Sequence, residues 1–452
     1  MKKKLLATVI AMMLVFTSLV GCGKSSSDTA AEPTATPATD TPAAEEAAPA
    51  DDSAAVSKEP IRIVNGKIEI DEQLKAYAKN YQERTGQEVI IESLGGGTDI
   101  NGALKGYLAV GNMPDMFVYG GEGDYQTWKD YMTDLSGEPW VADTDFGFKG
   151  EDGKIVGFPY AVEGYGITYN ADILAKAGID PATLTNFNAY KAAFEKIDSM
   201  KAELGIDAVC SVAAESGQMY WSTANHIFGY YLSLGLERGD TTYIDMLKQG
   251  KVDEARLGQF ADFVRLLFDY SDPTVLLSGT YDDQLALWAQ GKAAFITQGN
   301  WIDPSLPDYN VTFGCGLAPL AFLQEDTPGL LADCPSWWAV YNGGKHIDAC
   351  KALLNDLVTS PEGQNTLVKE CGMISPYKTC TVEPETPLAL SLKGFVDAGK
   401  THSWEWAKMP EGIAVNATAT VFELYARGEL SKDEFVKMLG TAIADYVAEN
   451  TK

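Results

Sequence analysis

Short apolar runs and helical stripes alternate along the chain from Pro60 onward. Residues 61–64, 88–92 and 115–119 are short apolar or alternating runs, which predict three strands. Between them, apolar residues recur every three or four positions, which is the spacing of one helix face. The two stripes consist of Leu74, Tyr77, Ala78 and Tyr81, and of Leu104, Tyr107 and Leu108. Because parallel strands need a crossover connection, this alternation predicts an α/β fold with a parallel sheet.

The same periodicities continue through the rest of the chain. They predict helices at residues 187–204, 260–268, 284–290 and 349–358 and a strand at 293–297. Gly86 is the predicted end of the first helix, and Ser431 with Glu434 has the spacing of a capping box. That box predicts the start of a last helix. Its predicted apolar face consists of Phe435, Met438, Leu439 and Ile443.

The first 58 residues follow neither period. Three lysines precede an uncharged apolar run, residues 5–20, and Gly21 and Cys22 come next. This order predicts a secretory signal peptide over residues 1–21, and its cysteine resembles the lipidated cysteine of bacterial lipoproteins. An ordinary secretory signal with a chance cysteine is the alternative, and the apolar run is short for a membrane span. We therefore expect lipidated Cys22 to hold the protein at the extracellular face of the cell membrane.

Residues 22–58 are composed mainly of Ala, Pro, Thr, Ser and acidic residues and contain no aromatic side chain. Such a segment buries too little apolar surface to offset the entropy of ordering, which predicts a disordered tether. The whole chain of 452 residues carries a net charge of −28. That charge excludes nucleic acid as a partner, because it offers little to neutralise phosphates.

Candidate catalytic and metal-binding patterns are sparse. The three histidines, at 226, 346 and 402, belong to no H-E-x-x-H motif, and there is no G-x-S-x-G elbow or P-loop. The run Gly95–Gly97 lacks a following Lys-Ser/Thr, so we expect a flexible turn. Cysteines at 210, 315, 334, 350, 371 and 380 show no zinc spacing. Cys371 and Cys380 are the closest pair, and either a disulfide or buried free thiols fits. We predict no enzyme activity, cofactor or metal.

Aromatic residues give a stronger signal, because many fall at predicted junctions of strands and helices. Junctions at the carboxyl ends of parallel strands line the ligand crevice of open α/β sheets. An aromatic face packs against the C–H face of a sugar, and carboxylates and amides bind its hydroxyls. For a single tryptophan, core packing is an equally good explanation, but the set favours a carbohydrate site. Its members are Tyr119, Tyr165, Trp221, Trp301, Trp337, Trp338, Trp404 and Trp406.

Several sequence runs resemble the extracellular solute-binding family that serves ABC importers, in particular its maltose/maltodextrin-binding branch. Residues 111–117 (GNMPDMF) resemble the family's G-x-x-P-D strand, and residues 158–170 (FPYAVEGYGITYN) resemble its first hinge crossing. Residues 290–301 (QGKAAFITQGNW) resemble its G-K-x-A-M…G-x-W run. Ala318-Pro319 and Ile374-Ser375-Pro376 resemble the second and third crossings.

This resemblance implies a two-lobe, Venus-flytrap α/β fold with hinge crossovers and a central cleft. It implies an N-terminal lobe of residues 59–163 plus 319–375 and a C-terminal lobe of residues 164–318 plus 376–452. The protein is then a monomer that binds an oligosaccharide, first a malto-oligosaccharide, and delivers it to an ABC permease. A same-fold binder of a polyamine or a metal, a surface-anchored glycoside hydrolase and an adhesion protein are the alternatives.

The resemblance also implies site residues. Glu163 falls on the hinge glutamate that bonds sugar hydroxyls, and Trp301 falls on the stacking tryptophan. Glu122 replaces a ligand-bonding aspartate, Tyr119 replaces a tryptophan, and Glu92 matches a strand-end glutamate. The family's last stacking tryptophan would fall near Val415, where this chain has none. The further candidates are Trp404 and Trp406 upstream of that point, Trp221, Tyr165 and Trp337, and Asp99 in a loop without a family counterpart.

Overall fold

The computed structural model describes residues 59–450, so Cys22, the predicted signal and the tether lie outside the described residues. No helix within this part of the chain has the length and apolarity needed to cross a membrane. Its strands are β1 (Ile61–Asn65), β2 (Val89–Ser93), β3 (Met116–Tyr119), β4 (Phe148–Lys149), β5 (Ile155–Pro159), β6 (Glu163–Tyr165), β7 (Ile167–Asn170), β8 (Ala208–Ser211), β9 (Ala293–Ile296), β10 (Cys315–Ala318), β11 (Leu330–Asp333), β12 (Trp337–Val340) and β13 (Thr401–His402).

The α-helices of the described residues connect these strands and cover the sheets. They are α1 (Asp71–Thr85), α2 (Ile100–Ala109), α3 (Glu122–Trp128), α4 (Ala171–Lys176), α5 (Phe187–Ser199), α6 (Lys201–Leu204), α7 (Phe228–Ser233), α8 (Thr242–Lys248), α9 (Glu254–Asp269), α10 (Pro273–Ser278), α11 (Tyr281–Ala289), α12 (Ile347–Thr359), α13 (Pro361–Asn365), α14 (Pro387–Asp397), α15 (Ala419–Ala426) and α16 (Lys432–Asn450). Short π-helical turns add Ser222–Ile227, Thr366–Glu370 and Ala414–Thr418.

The first sheet has the strand order β2-β1-β3-β12-β5-β4. Its strands β2, β1 and β3 are parallel, which confirms the predicted parallel pairing. Strand β12 returns from far along the chain and pairs antiparallel with β3 and β5. Successive side chains of β3 enter two different apolar clusters, Met116 and Val118 one, Phe117 and Tyr119 the other. Both faces of this sheet are therefore buried.

The remaining strands form two smaller sheets. One has the order β10-β7-β9-β8 and the other the order β13-β11-β6. A single large apolar cluster spans both, and it includes residues from Tyr165 in β6 to Ile443 in α16. This second core is separate from the two clusters that flank the first sheet.

Local sequence signals agree with the observed helix ends. Gly86 ends α1 in the left-handed conformation, with φ of 77°, which glycine adopts without steric cost. Ser431 and Glu434 form the predicted capping box: the Ser431 N–H donates to Glu434 Oε2 at 2.8 Å, and the Glu434 N–H donates to Ser431 Oγ. These predictions are confirmed.

Three details differ from the sequence analysis. The helix predicted at 187–204 divides at Met200 into α5 and α6. Met438 was predicted on the buried face of α16 but is 40% exposed, because only Phe435, Leu439, Ile443 and Val447 face the core. The six described cysteines are free, so the alternative of reduced thiols is the one observed there.

The chain passes between the two cores at several points. Two of these crossing segments, at Val162 and at Ile374, are hydrogen-bonded to each other. The Val162 N–H donates to the Ile374 carbonyl at 2.8 Å, in an antiparallel bridge. The lobe boundaries remain a prediction. The packing of residues 320–322 and 330–332 in the second core favours a second crossing nearer Asp333 than Pro319.

Candidate functional site

Three aromatic rings lie nearly parallel beside β6. The ring centroids of Tyr165 and Trp301 are 5.8 Å apart at 16°, and those of Tyr165 and Trp404 are 5.7 Å apart at 6°. Trp301 and Trp404 are 6.0 Å apart at 12°. Each ring is thus about equally far from the other two, which places residues from three distant parts of the chain together.

The imidazole of His226 lies across these three rings. Its centroid is 5.2 Å from Tyr165, 5.3 Å from Trp301 and 5.0 Å from Trp404, at 84°, 69° and 78°. Trp221 and Trp406 flank the imidazole at 5.1 and 6.0 Å. We refer to these six residues, Tyr165, Trp221, His226, Trp301, Trp404 and Trp406, as the aromatic cluster. Five of them were predicted site residues.

Hydrogen bonds fix the orientation of Trp301. Its indole N–H donates to Gln298 Oε1 at 2.8 Å, and the Gln298 amide in turn donates to Gln284 at 2.8 Å. The Asn300 side chain accepts from the Gly164 N–H at 2.8 Å and thereby ties the turn to β6. At Gly299 a Cβ would lie 2.2 Å from the Gly164 carbonyl oxygen, so only glycine permits this approach. Trp301 is therefore held rigidly.

Two other indoles in the cluster lack protein partners. The buried Nε1 atoms of Trp404 and Trp406 have no hydrogen bond to any described residue. A buried donor without an acceptor costs roughly 1–3 kcal/mol, so such groups in native proteins call for an explanation. A bound molecule with acceptor oxygens at these positions would satisfy both donors.

An ion pair lies beside the cluster. Lys67, in the turn after β1, contacts Glu163 with its ammonium 2.7 Å from Oε1, and both side chains are largely buried. Burial alone would lower the pKa of Lys67, but the Glu163 carboxylate carries it above its ordinary value, so the ammonium stays charged. Glu163 was predicted; Lys67 was missed, because nothing in its local sequence marks it.

His226 is neutral in this setting. Burial is the largest cause that lowers its pKa to about 3; the hydrogen bond to the Trp221 carbonyl opposes this shift, and the nearby charge of Lys67 adds to it. A carbonyl accepts only, so Nδ1, 2.8 Å from Trp221 O, carries the proton. Sequence reasoning used His226 only as evidence against catalysis.

Three predicted acidic residues lie elsewhere. Glu122 pairs with Lys248 at 2.5 Å and borders a groove of about 540 Å³ whose other walls include residues 408–412. Glu92 accepts from the Tyr107 hydroxyl, and its carboxylate is 3.5 Å from Arg62. Asp99 is the N-cap of α2 and accepts from the Gly102 N–H at 2.8 Å. Within residues 59–450, none of these three carboxylates forms a hydrogen bond with a residue of the aromatic cluster.

Tyr119 and Trp337 pack in the core beside the first sheet. Their ring centroids are 6.0 Å apart, and Phe148 lies within 5.3 Å of both. The Trp337 N–H donates to the Phe146 carbonyl at 2.7 Å. Trp338 is also core, stacked on Tyr160 at 4.5 Å. The structure therefore places these residues apart from the aromatic cluster, because β3 and β12 are buried on both faces.

Comparison with known proteins identifies the family. Residues 76–387 match the family of bacterial extracellular solute-binding proteins. The chain belongs to this family. As a solute-binding protein it is a binder rather than an enzyme, as predicted. The predicted family resemblance is confirmed.

A curated relative and two solved structures resemble this solute-binding protein. A maltotriose-binding protein from Pyrococcus abyssi is 24% identical over 70% of this chain and 66% of its own length, slightly under two thirds. A binding protein from Bacillus subtilis subsp. subtilis strain 168, in an open conformation, has a TM-score of 0.67 at 16% identity and covers 87% of this chain and 99% of its own. A sugar transporter protein from Bacillus licheniformis, in complex with stachyose, has a TM-score of 0.67 at 17% identity, covering 86% and 100%.

At these identities the solved structures show the fold alone. They confirm the predicted two-lobe α/β architecture of the solute-binding protein. The solute, the contact residues and the membrane partner of this chain remain proposals.

Proposed function

We propose that this solute-binding protein captures an oligosaccharide between its two lobes and delivers it to the permease of an ABC importer. The aromatic cluster carries the proposal, because it joins flat apolar rings to two buried indole N–H groups without protein acceptors. Rings pack against the C–H faces of pyranoses, and the sugar hydroxyls supply the missing acceptors. The maltotriose-binding relative makes a malto-oligosaccharide the first candidate.

The charge arrangement favours a neutral sugar over a polyamine. The central carboxylate, Glu163, is already paired with Lys67 at 2.7 Å. The Lys67 charge also acts on His226, so the ammonium repels a cationic ligand in the aromatic cluster. A sugar hydroxyl can instead accept from Lys67 and donate to Glu163.

Glycines line a seam where segments of the two proposed lobes meet. A Cβ at Gly121 would lie 2.1 Å from the Ala407 carbonyl oxygen, and one at Gly123 would lie 2.6 Å from the Glu411 nitrogen. Thr127 donates to Glu411 across the same seam. We infer that these contacts belong to the closed state, which a solute favours by binding both lobes, while the crossings at 162–166, near Asp333 and at 374–377 rotate.

The proposal is tested by thermal shift and titration calorimetry of the purified protein. The panel contains maltotriose, raffinose and stachyose, with spermidine as the cationic rival. A ligand that binds only the folded state raises the melting temperature, and the rise grows with the ratio of ligand concentration to Kd. We expect a saccharide to raise it and spermidine to leave it unchanged. A shift with spermidine alone would contradict the proposal.

We further propose that Cys22 is lipidated and anchors the protein at the extracellular face of the membrane. The support is the order of residues 1–22 together with membership of an extracellular family. In the native host, Cys22→Ser should release the protein from the membrane fraction, whereas the wild type stays with it. Equal membrane retention of both would contradict the anchor.

A further inference from the structure

The imidazole of His226 is the one ring of the aromatic cluster whose ring nitrogen can accept a hydrogen bond. The other five rings are four indoles, whose N–H groups only donate, and the phenol of Tyr165, whose hydroxyl both donates and accepts. His226 itself contacts every other member of the cluster, at centroid distances of 5.0 to 6.0 Å. It therefore occupies the centre of the cluster rather than its edge.

The local backbone fixes the orientation of this imidazole. His226 lies in the π-helical turn Ser222–Ile227, a rare form of helix that occurs frequently at functional sites. Its Nδ1 donates to the carbonyl of Trp221, five residues earlier. Because Nδ1 carries the proton and the ring is neutral, Nε2 presents a lone pair.

That lone pair is available. Nε2 of His226 has no hydrogen-bond partner among residues 59–450, and it is not among the fully enclosed polar atoms. The same cluster contains the unpaired N–H donors of Trp404 and Trp406. The free acceptor of His226 and the two unpaired indole donors match hydroxyl groups, each of which donates one hydrogen bond and accepts others.

We propose that His226 is a specificity-determining residue, whose Nε2 accepts a hydrogen bond from one hydroxyl of the bound saccharide. This inference rests on the proposed function and extends it, since it assigns a hydroxyl acceptor to a residue outside the resemblance. A site built to bond a hydroxyl rejects an analogue that lacks it, because the acceptor is then left without a partner.

The test compares three variants with the wild type. His226→Phe keeps a ring and removes the acceptor, whereas His226→Gln keeps an acceptor. His402→Gln is the matched control, because His402 is also partly buried, has a lowered pKa and bonds a backbone carbonyl, that of Leu236, at 2.9 Å. Calorimetry measures the affinity of each variant for maltotriose, raffinose and stachyose, and for singly deoxygenated derivatives of whichever the wild type binds.

We expect His226→Phe to weaken binding about tenfold, His226→Gln to recover part of the loss, and His402→Gln to match the wild type. The decisive measurement is whether the loss of affinity on removing the His226 acceptor depends on the presence of one particular saccharide hydroxyl. The wild type should discriminate against one deoxy derivative, and His226→Phe should bind that derivative and its parent equally. If His226 had only a structural role, His226→Phe would lower the affinity for the parent saccharide and for every deoxy derivative by the same factor.

The outcomes separate the two proposals. If the wild type binds none of the three saccharides, the proposed function fails and this inference fails with it. If the wild type binds one and folded His226→Phe keeps the same discrimination at every hydroxyl, the inference fails alone. If His226→Phe does not fold, His226→Ala, which also removes the acceptor, carries the same comparison. Wild-type discrimination at every hydroxyl in folded His226→Ala then overturns the inference.

Discussion

The molecule contains two aromatic groups that look alike as ring geometry. In the aromatic cluster, the rings of Tyr165, Trp301 and Trp404 lie 5.7 to 6.0 Å apart, and beside the first sheet Tyr119, Phe148 and Trp337 lie 5.0 to 6.0 Å apart. Both groups supplied predicted site residues. Ring spacing and burial therefore do not distinguish a binding site from a core.

The indole N–H groups of Trp337, Trp404 and Trp406 differ in their hydrogen bonds. The Trp337 N–H is bonded to a backbone carbonyl, as expected for a core tryptophan. In the aromatic cluster, the N–H groups of Trp404 and Trp406 lack partners, and the Lys67–Glu163 ion pair lies alongside. Unpaired buried indole N–H groups also occur in the core, as at Trp338, so the position of these two beside the Lys67–Glu163 ion pair and the free acceptor of His226 is what points to a partner that comes from solution.

Removal of one member of the ion pair should have the largest effect. Lys67→Met leaves the Glu163 carboxylate buried without its cation, which costs about 3–5 kcal/mol of folding stability for such pairs. Urea unfolding at pH 7 measures the loss. The double variant Lys67→Met with Glu163→Gln should recover much of it. A loss below 1 kcal/mol in the single variant would show that the pair is solvated.

Removal of one tryptophan from each of the two aromatic groups tests the comparison directly. Trp301→Ala should weaken saccharide binding by roughly 1–3 kcal/mol, because a rigid stacking surface is lost. Trp337→Ala should destabilise the fold by roughly 3–5 kcal/mol, as for other buried tryptophans, yet leave the affinity of the folded fraction unchanged. Calorimetry and urea unfolding of both variants separate these quantities. Wild-type affinity in Trp301→Ala would place that tryptophan in the core.

Local patterns predicted the elements, because strands and helices depend on neighbouring residues. The stripe Leu74, Tyr77, Ala78 and Tyr81 is buried as predicted on α1. Periodicity contains no information about partners far along the chain, so the insertion of β12 between β3 and β5 was not predicted. That insertion explains why Tyr119 and Trp337 are core residues rather than site residues. Their strands pair with each other in a sheet whose two faces are both buried.

The candidate site was predicted in part. Junction aromatics and family motifs predicted five of the six cluster residues. Lys67 and His226 were missed because their roles depend on tertiary contacts, with Glu163 and with the cluster rings. The spacing of Trp221 and His226, five residues apart, was the available signal for the histidine, but a five-residue spacing belongs to the rare π-helical turn.

The buried histidine should give the aromatic cluster a pH dependence. Its pKa is about 3 in the folded protein and 6.5 when unfolded, so the unfolded state binds more protons below pH 6.5 and stability falls with falling pH. Between pH 7 and pH 5 the contribution is about 2 kcal/mol. Urea unfolding at both pH values should show this difference in the wild type relative to His226→Gln. Parallel pH profiles would contradict the burial of the imidazole.

The smallest expected effect concerns closure. Gly123 lies in α3 without a left-handed φ, so Gly123→Ala should be tolerated or mildly favourable when the seam is open. In the observed arrangement the added Cβ would lie 2.6 Å from the Glu411 nitrogen and 2.7 Å from its Cα, which backbone atoms accommodate poorly. The variant should therefore weaken saccharide binding about tenfold while the melting temperature of the free protein stays the same or rises.

Gly106→Ala is the matched control for that experiment. Gly106 lies in α2, and a Cβ there meets nothing within 4 Å. It should share the gain in helix propensity without any change in affinity. Small-angle scattering completes the test, because only Gly123→Ala should keep its free dimensions when saccharide is added. If both alanine variants compact on saccharide addition as the wild type does, the seam between Gly123 and Glu411 is not part of the closed state.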